Sequence, residues 1–176
     1  MPTPASTTLE KPVDPLAFRH VLGHFCSGVT IITGVEDGPP GPAPAGFTCQ
    51  SFASLSLDPP LVTFSVAKTS RTWPRIAPTG GFCVNLLAVE QEDLCRSFAV
   101  SGADKFAGVE WSPAPVTGSP VLAGSLGWID CTVEAVHPGG DHWLVLGRVL
   151  GLDTVPAVTE AEPLLYYRSA FRRPAA

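Results

Sequence analysis

The stretch from Gly46 to Trp73 (GFTCQSFASLSLDPPLVTFSVAKTSRTW) concentrates the residue types that hold a planar ligand with an anionic tail. Ser and Thr hydroxyls, with backbone N–H groups left free along an irregular strand, hydrogen-bond the edge of a heterocycle without filling the space of the ring. Gly46, Cys49 and Ala53 keep that surface low. Further on, Ser70-Arg71-Thr72 follows a strand-like run and opens a short helix, where free N–H groups, the helix dipole and the Arg fork favour an anion such as phosphate. The same residues also read as an ordinary helix cap beside a solvated Arg, and residue types alone leave both readings open.

Other reactive types are less organised. The five cysteines lie scattered in apolar segments with no Cys-x-x-Cys pair, which predicts buried free thiols. His20 and His24 stand four apart, a metal-ligand spacing, but without an acidic or Cys partner they read as polar-face residues, and no metal is expected. No Gly-x-Gly-x-x-Gly is present, so a nicotinamide is not held by a Rossmann unit.

The elements that must position these groups are mostly strands. Asp14-Pro15 starts a helix along which Phe18, Val21, Leu22 and Phe25 recur, ending near Gly28. Strands are expected over Val29 to Val35, Gly46 to Ser54, Leu61 to Ala67 and Phe82 to Leu87, the last holding Asn85, whose amide needs partners inside an apolar run. Short helices follow over Thr72 to Ile76 and Glu90 to Ala99. Strict alternation from Ile129 to Ala135 predicts a strand with one wet face, a turn at His137 to Asp141, and an antiparallel return over His142 to Leu152. Leu164 to Arg168 makes a last strand, and Trp128 and Trp143 read as barrel core. Seven or so strands with few helices between them favour a mainly β, largely antiparallel barrel with peripheral helices.

Composition agrees with one domain: 176 residues, 45% hydrophobic and 15% charged. We expect a flexible arm over residues 1–13 and a single domain over 14–176. The net charge of −5 argues against nucleic acid, and no apolar run is long enough to span a bilayer. No secretory signal is apparent, so a cytoplasmic protein is expected.

Seven motifs in one order resemble the flavin reductase family of two-component flavin monooxygenases: FRHVLGHFCSGVTIIT from Phe18, GFTCQSFASLSLDPPLV from Gly46, Lys68 to Trp73, FCVN from Phe82, DKFAG from Asp104, GGDH from Gly139 and PLLYYR from Pro163. The likeness is strongest to reductase partners of actinobacterial aromatic hydroxylases, including those of steroid-ring degradation and enediyne antibiotic biosynthesis. It implies an FMN-binding split β-barrel, a homodimer, that reduces FAD or FMN with NADH and releases the reduced flavin to a separate monooxygenase. On that resemblance Thr48, Cys49, Gln50, Ser51, Ala53 and Ser54 line the isoalloxazine. Lys68, Ser70, Arg71 and Thr72 take the phosphate or ribityl end, while Asn85, Lys105 and Phe106 close the flavin site. His142 faces the nicotinamide, with Tyr167 and Arg168 near it.

Two departures stand out: Gln50 occupies a position where many relatives carry a smaller residue, and the chain stops at Ala176 without the longer tail some relatives have. For Cys49 a plain packing role is preferred. NADH is favoured over NADPH because no Arg cluster marks a 2′-phosphate site. The competing readings are a flavin-binding electron carrier or storage protein with tightly held FMN, and a scaffold that binds no flavin.

Overall fold

The computed structural model describes residues 12–102, 104–155 and 161–174; the expected N-terminal arm, apart from its last two residues, lies outside them. Twelve strands are present among the described residues: β1 (Ser27–Gly28), β2 (Thr30–Glu36), β3 (Ala43–Cys49), β4 (Ala53–Leu57), β5 (Pro60–Ala67), β6 (Gly81–Leu86), β7 (Trp111–Pro113), β8 (Pro120–Leu122), β9 (Gly127–Gly139), β10 (His142–Thr154), β11 (Leu165–Tyr167) and β12 (Ala170–Arg172). Three α-helices accompany them: α1 (Pro15–Leu22), α2 (Trp73–Ile76) and α3 (Glu92–Ala99).

Seven strands form one antiparallel sheet in the order β3-β2-β6-β9-β10-β5-β4. The sheet coils until β3 comes alongside β5, giving the expected barrel. Its interior is filled by Ile32, Phe64, Phe82, Val84 and Val145, all fully buried. The Phe64 ring meets Trp73 and Phe82 edge-on, at 5.5 and 5.3 Å between centroids. Trp73 is buried in this core and Trp143, half-buried, packs against it as expected, while Trp128 is half-buried outside it.

The central strands β2 and β6 lack alternation because both of their faces are covered. Ile32 faces the barrel, while Ile31 packs outward with Leu87, Cys95, Phe98 and Leu122 beneath α3 and β8. Asp130 departs from the one wet face that its strand pattern predicts. It is fully buried, and its carboxylate accepts the Val116 and Thr117 N–H groups and the Thr117 hydroxyl (2.9, 3.2 and 2.6 Å), so it organises the loop that covers it.

Several boundaries differ from expectation. α1 starts as predicted, with Asp14 accepting from Leu16 and Ala17 N–H, but stops at Gly23 because the chain must turn to pair β1 with β11. The single strand expected over Gly46 to Ser54 is two, β3 and β4, broken at residues 50–52. The β9–β10 turn shrinks to Gly140-Asp141, with Gly139 directly opposite His142 and Gly140 at φ 67°. The β7–β8 hairpin and β12 are additions the sequence did not suggest.

Four cysteines are buried as expected, but Cys26 is exposed in the link from α1 to β1. Burial, then the nearby Asp130 charge, pushes the Cys83 thiol up to about 12. Burial likewise raises Cys49, Cys95 and Cys131. Raised values keep these thiols protonated and unreactive. Titration of the native protein with a disulfide reagent at mildly alkaline pH should therefore modify Cys26 promptly and the other four only after denaturation.

Candidate functional site

The barrel does not close. β4 pairs with β5 only as far as Ala53 opposite Thr63, and β3 lies alongside the remainder of β5 without being its hydrogen-bonded neighbour. Between β3 and β4, Gln50-Ser51-Phe52 belongs to no strand. Ser51 bridges the gap with its side chain: Oγ accepts the Ser65 N–H (2.8 Å) and donates to the Ser65 carbonyl (3.0 Å). One hydroxyl thus replaces one rung of the ladder.

The seam is a groove of about 370 Å³ whose lining includes Thr48, Cys49, Gln50, Ser51, Ser65, Ala67, Ser70 and His142. The Lys68 N–H donates to Asp141 on the β10 side. Strand alternation therefore turns the Ala67 N–H toward the groove, as it does that of Ser65. Backbone donors and small hydroxyl side chains suit the polar edge of a flavin, so these residues fit such a ring.

Within the groove, roles differ from residue to residue. The Thr48 hydroxyl donates to the Cys95 carbonyl (2.6 Å), which turns it toward α3 and leaves its backbone to the groove. Cys49 is buried, its Sγ 3.5 Å from Ser51 Oγ, consistent with packing. Gln50 is exposed and stands between the groove and an apolar cavity of about 480 Å³ beside α3 and β11. Ser70 Oγ accepts the Thr72 and Trp73 N–H groups (3.3 and 3.1 Å), so it caps α2 while also lining the groove. Arg71 is exposed and Thr72 buried at that corner.

His142 enters from the start of β10, opposite Ala67. Its Nδ1 lies 2.8 Å from Asp141 Oδ1, and the hydrogen bond, then the imidazole charge, holds the Asp141 carboxyl below its usual range. An ionised carboxylate only accepts, so Nδ1 carries the proton and Nε2 is the free ring nitrogen. Lys68 secures this turn: Nζ donates to the Gly140 carbonyl (2.6 Å) and sits 4.8 Å from the centre of the Trp143 ring. Lys68 is thus tied to the hairpin and does not join the Ser70–Thr72 corner.

Other expected site residues lie elsewhere. Asn85 is fully buried: Nδ2 donates to Ile31 O, Thr33 Oγ1 and Pro120 O, and Oδ1 accepts the Leu122 N–H (2.8 Å). With every polar atom committed inside the protein, it clamps β8 onto the sheet and has no donor or acceptor for a ligand. Phe106 packs edge-on against Phe98, and Lys105 Nζ donates to the Gly46 and Phe98 carbonyls (3.1 and 2.8 Å), outside the groove lining. Gly46 itself is needed for packing, since a Cβ there would lie 2.7 Å from Phe98 Cε1. Ala53 and Ser54 sit on the edge strand β4, opposite Thr63 and Val62. Tyr167 stacks edge-on with His24, and the Arg168 N–H reaches Gly23 O, so both belong with α1 and not with His142.

Sequence reasoning missed Ser65, which contributes only backbone, and Asp141, whose position directly before His142 was the available signal. Among the described residues no cluster of His, Cys, Asp or Glu could hold a metal ion.

Comparisons with known proteins agree in one direction. The Flavin reductase like domain matches residues 22–175. The reductase subunit HsaB of a flavin-dependent monooxygenase from Rhodococcus jostii is 54% identical over 159 residues, spanning 90% of this chain and 77% of that protein. The crystal structure of a nitrilotriacetate monooxygenase component B homologue from Mycobacterium thermoresistibile superposes with TM-score 0.85 at 51% identity, covering 91% of this chain and 86% of the other. An NADH:FAD oxidoreductase, SgcE6, from Streptomyces globisporus, solved with NAD and FAD fragments, superposes with TM-score 0.82 at 35% identity, covering 94% and 97%.

Proposed function

This chain belongs to the flavin reductase family, and we propose from that premise that it oxidises NADH, reduces FAD or FMN, and hands the reduced flavin to a separate monooxygenase. The observation that carries the reading is the open seam with His142 at one end and the Ser70–Thr72 corner beside it. Nicotinamide C4 supplies the hydride and flavin N5 receives it, so the protein needs no nucleophile of its own. Its task is to hold two rings in register and keep water from the reacting faces.

The residues divide that task. The Ser65 and Ala67 backbone and the rim of Gln50 and Ser51 hold the flavin edge. Ser70 and Arg71 meet the phosphate. His142, with Nδ1 fixed by Asp141, presents Nε2 to the nicotinamide carboxamide. Exposure of Gln50 and Ser51 at the groove favours a flavin that leaves again, which a supplier of reduced flavin requires and a storage protein does not. The apolar side chains of α1 (Leu16, Phe18 and Val21) are more than half exposed, which supports a homodimer that covers them. A cytoplasmic location is part of this proposal; separately, no helix among the described residues is long and apolar enough to cross a membrane.

The test is the initial rate of NADH oxidation by purified protein, without oxygenase, as FAD, FMN or riboflavin is added. A saturable rise establishes flavin as a dissociable substrate; no flavin-dependent rate with NADH or NADPH overturns the reading. Arg71→Ala should weaken FMN binding by about 1.5–3 kcal/mol, the value of a charge-assisted bond, and leave riboflavin binding unchanged. Equal affinity of variant and parent for FMN removes Arg71 from the phosphate site.

A further inference from the structure

The groove uses only the end of β3. Its Pro44–Gly46 half borders a separate cavity of about 260 Å³, walled by Arg75, Asp104, Lys105 and Phe106. Lys105 is fixed there by two neutral carbonyls, Gly46 O and Phe98 O, which leaves one of its three N–H donors uncommitted. No carboxylate among the described residues forms a salt bridge with it. The Arg75 guanidinium faces the same cavity and is shared with Glu36 at the rim (Nε to Oε2, 2.7 Å). Burial first, and the Arg75 charge second, hold the Lys105 ammonium below its ordinary value. Two cations and the Asp104 carboxylate share the cavity; Asp104 Oδ1 accepts the Phe106 N–H (3.2 Å), and among the described residues it forms no salt bridge with either cation, so an anion can still bridge Arg75 and Lys105.

Two chain segments connect the cavity with the groove. β3 and its continuation line both, and the four steps from Gly46 to Gln50 span about 13 Å, comparable to the reach of a ribityl diphosphate tail. The segment that offers Ser70 and Arg71 to a first phosphate also carries Arg75 one turn later, its N–H bonded to Thr72 O (3.0 Å).

We infer that this cavity takes the second phosphate of a flavin dinucleotide, so that Arg75 and Lys105 grip FAD at a point that FMN does not reach. The inference rests on the flavin reading above and adds to it the discrimination between the two flavins. Arg75 supplies the planar fork and Lys105 the point charge, a pairing suited to a phosphate held from two sides.

The experiment is calorimetric titration of FAD and FMN into the parent, Arg75→Gln and Glu36→Gln proteins, with the KM for NADH measured alongside. Arg75 is chosen because its side chain is half exposed and, among the described residues, hydrogen-bonds only to Glu36, whereas Lys105 ties α3 to β3. Arg75→Gln should raise the FAD dissociation constant about tenfold, one charge-assisted bond, and leave that of FMN within about twofold. Glu36→Gln frees the guanidinium and should tighten FAD or leave it unchanged. Equal effects on FAD and FMN, no effect on either, or weakening of FAD by Glu36→Gln would overturn the assignment. A change confined to the KM for NADH would give the cavity to the diphosphate of the nicotinamide dinucleotide and overturn it as well. A parent protein that reduces no flavin defeats the reductase reading itself, whereas one that reduces both flavins with Arg75→Gln indifferent defeats only the dinucleotide site.

Discussion

His142→Ala is expected to slow flavin reduction by NADH about ten- to a hundredfold while changing flavin affinity by no more than about twofold. The side chain is half exposed at the end of the groove, and its one polar contact among the described residues is with Asp141, so removing it leaves the barrel intact. What is lost is the group that sets the nicotinamide ring against the flavin. A misplacement of about 1 Å is enough to cost two orders of magnitude in a transfer that depends on near contact. Stopped-flow reduction of pre-bound flavin separates this effect from binding, and an unchanged reduction rate would remove His142 from the reaction. Asp141→Asn, which keeps the ring but frees its tautomer, should fall between the variant and the parent.

Asn85→Ala should cost about 3–5 kcal/mol of stability, a large share of the roughly 5–15 kcal/mol that holds a domain together. The buried Leu122 N–H loses its partner, the Pro120 carbonyl is left with the Thr33 hydroxyl alone, and a void opens beneath β8. Urea unfolding measures the loss. Flavin affinity corrected to the folded fraction should be unchanged. A fall in that corrected affinity with normal stability would return Asn85 to the ligand site and contradict the clamp.

The architecture was legible because its signals were local. Asp14-Pro15 fixed the start of α1, the β-branched run Val29 to Val35 announced β2, and alternation across Ile129 to Ala135 announced the β9–β10 ribbon. Features set by distant contacts were not. Asn85 reads as a polar residue in need of partners, but only the fold shows that all of them come from β2 and β8. Asp130 follows the wet positions of an alternating strand and is buried by a loop contributed from ahead of it in the chain. The interruption at residues 50–52 is equally silent, since Gln-Ser-Phe carries no breaker and its departure from pairing follows from the way β3 meets β5. Of the residues that motif order singled out, Thr48 to Ser51, Ser70 and His142 line one groove. Motif order also grouped Lys68, Lys105 and Tyr167 with them; Lys68 is tied to the hairpin, Tyr167 packs on His24 past the end of α1, and Lys105 lines the neighbouring cavity.

The hydroxyl of Ser51 standing where a ladder rung belongs has an evolutionary corollary. Any set of substitutions around residues 50–52 that let the chain pair regularly with β5 would add backbone hydrogen bonds and close the seam. Such a variant should melt later and bind less. Selection for robustness and selection for turnover therefore pull this short segment in opposite directions, as they do wherever an incomplete piece of structure serves as the opening for a substrate. A screen for heat-resistant variants would be expected to collect its gains at exposed α1 or in the loops, and to recover changes at Ser51 only among proteins that have stopped working.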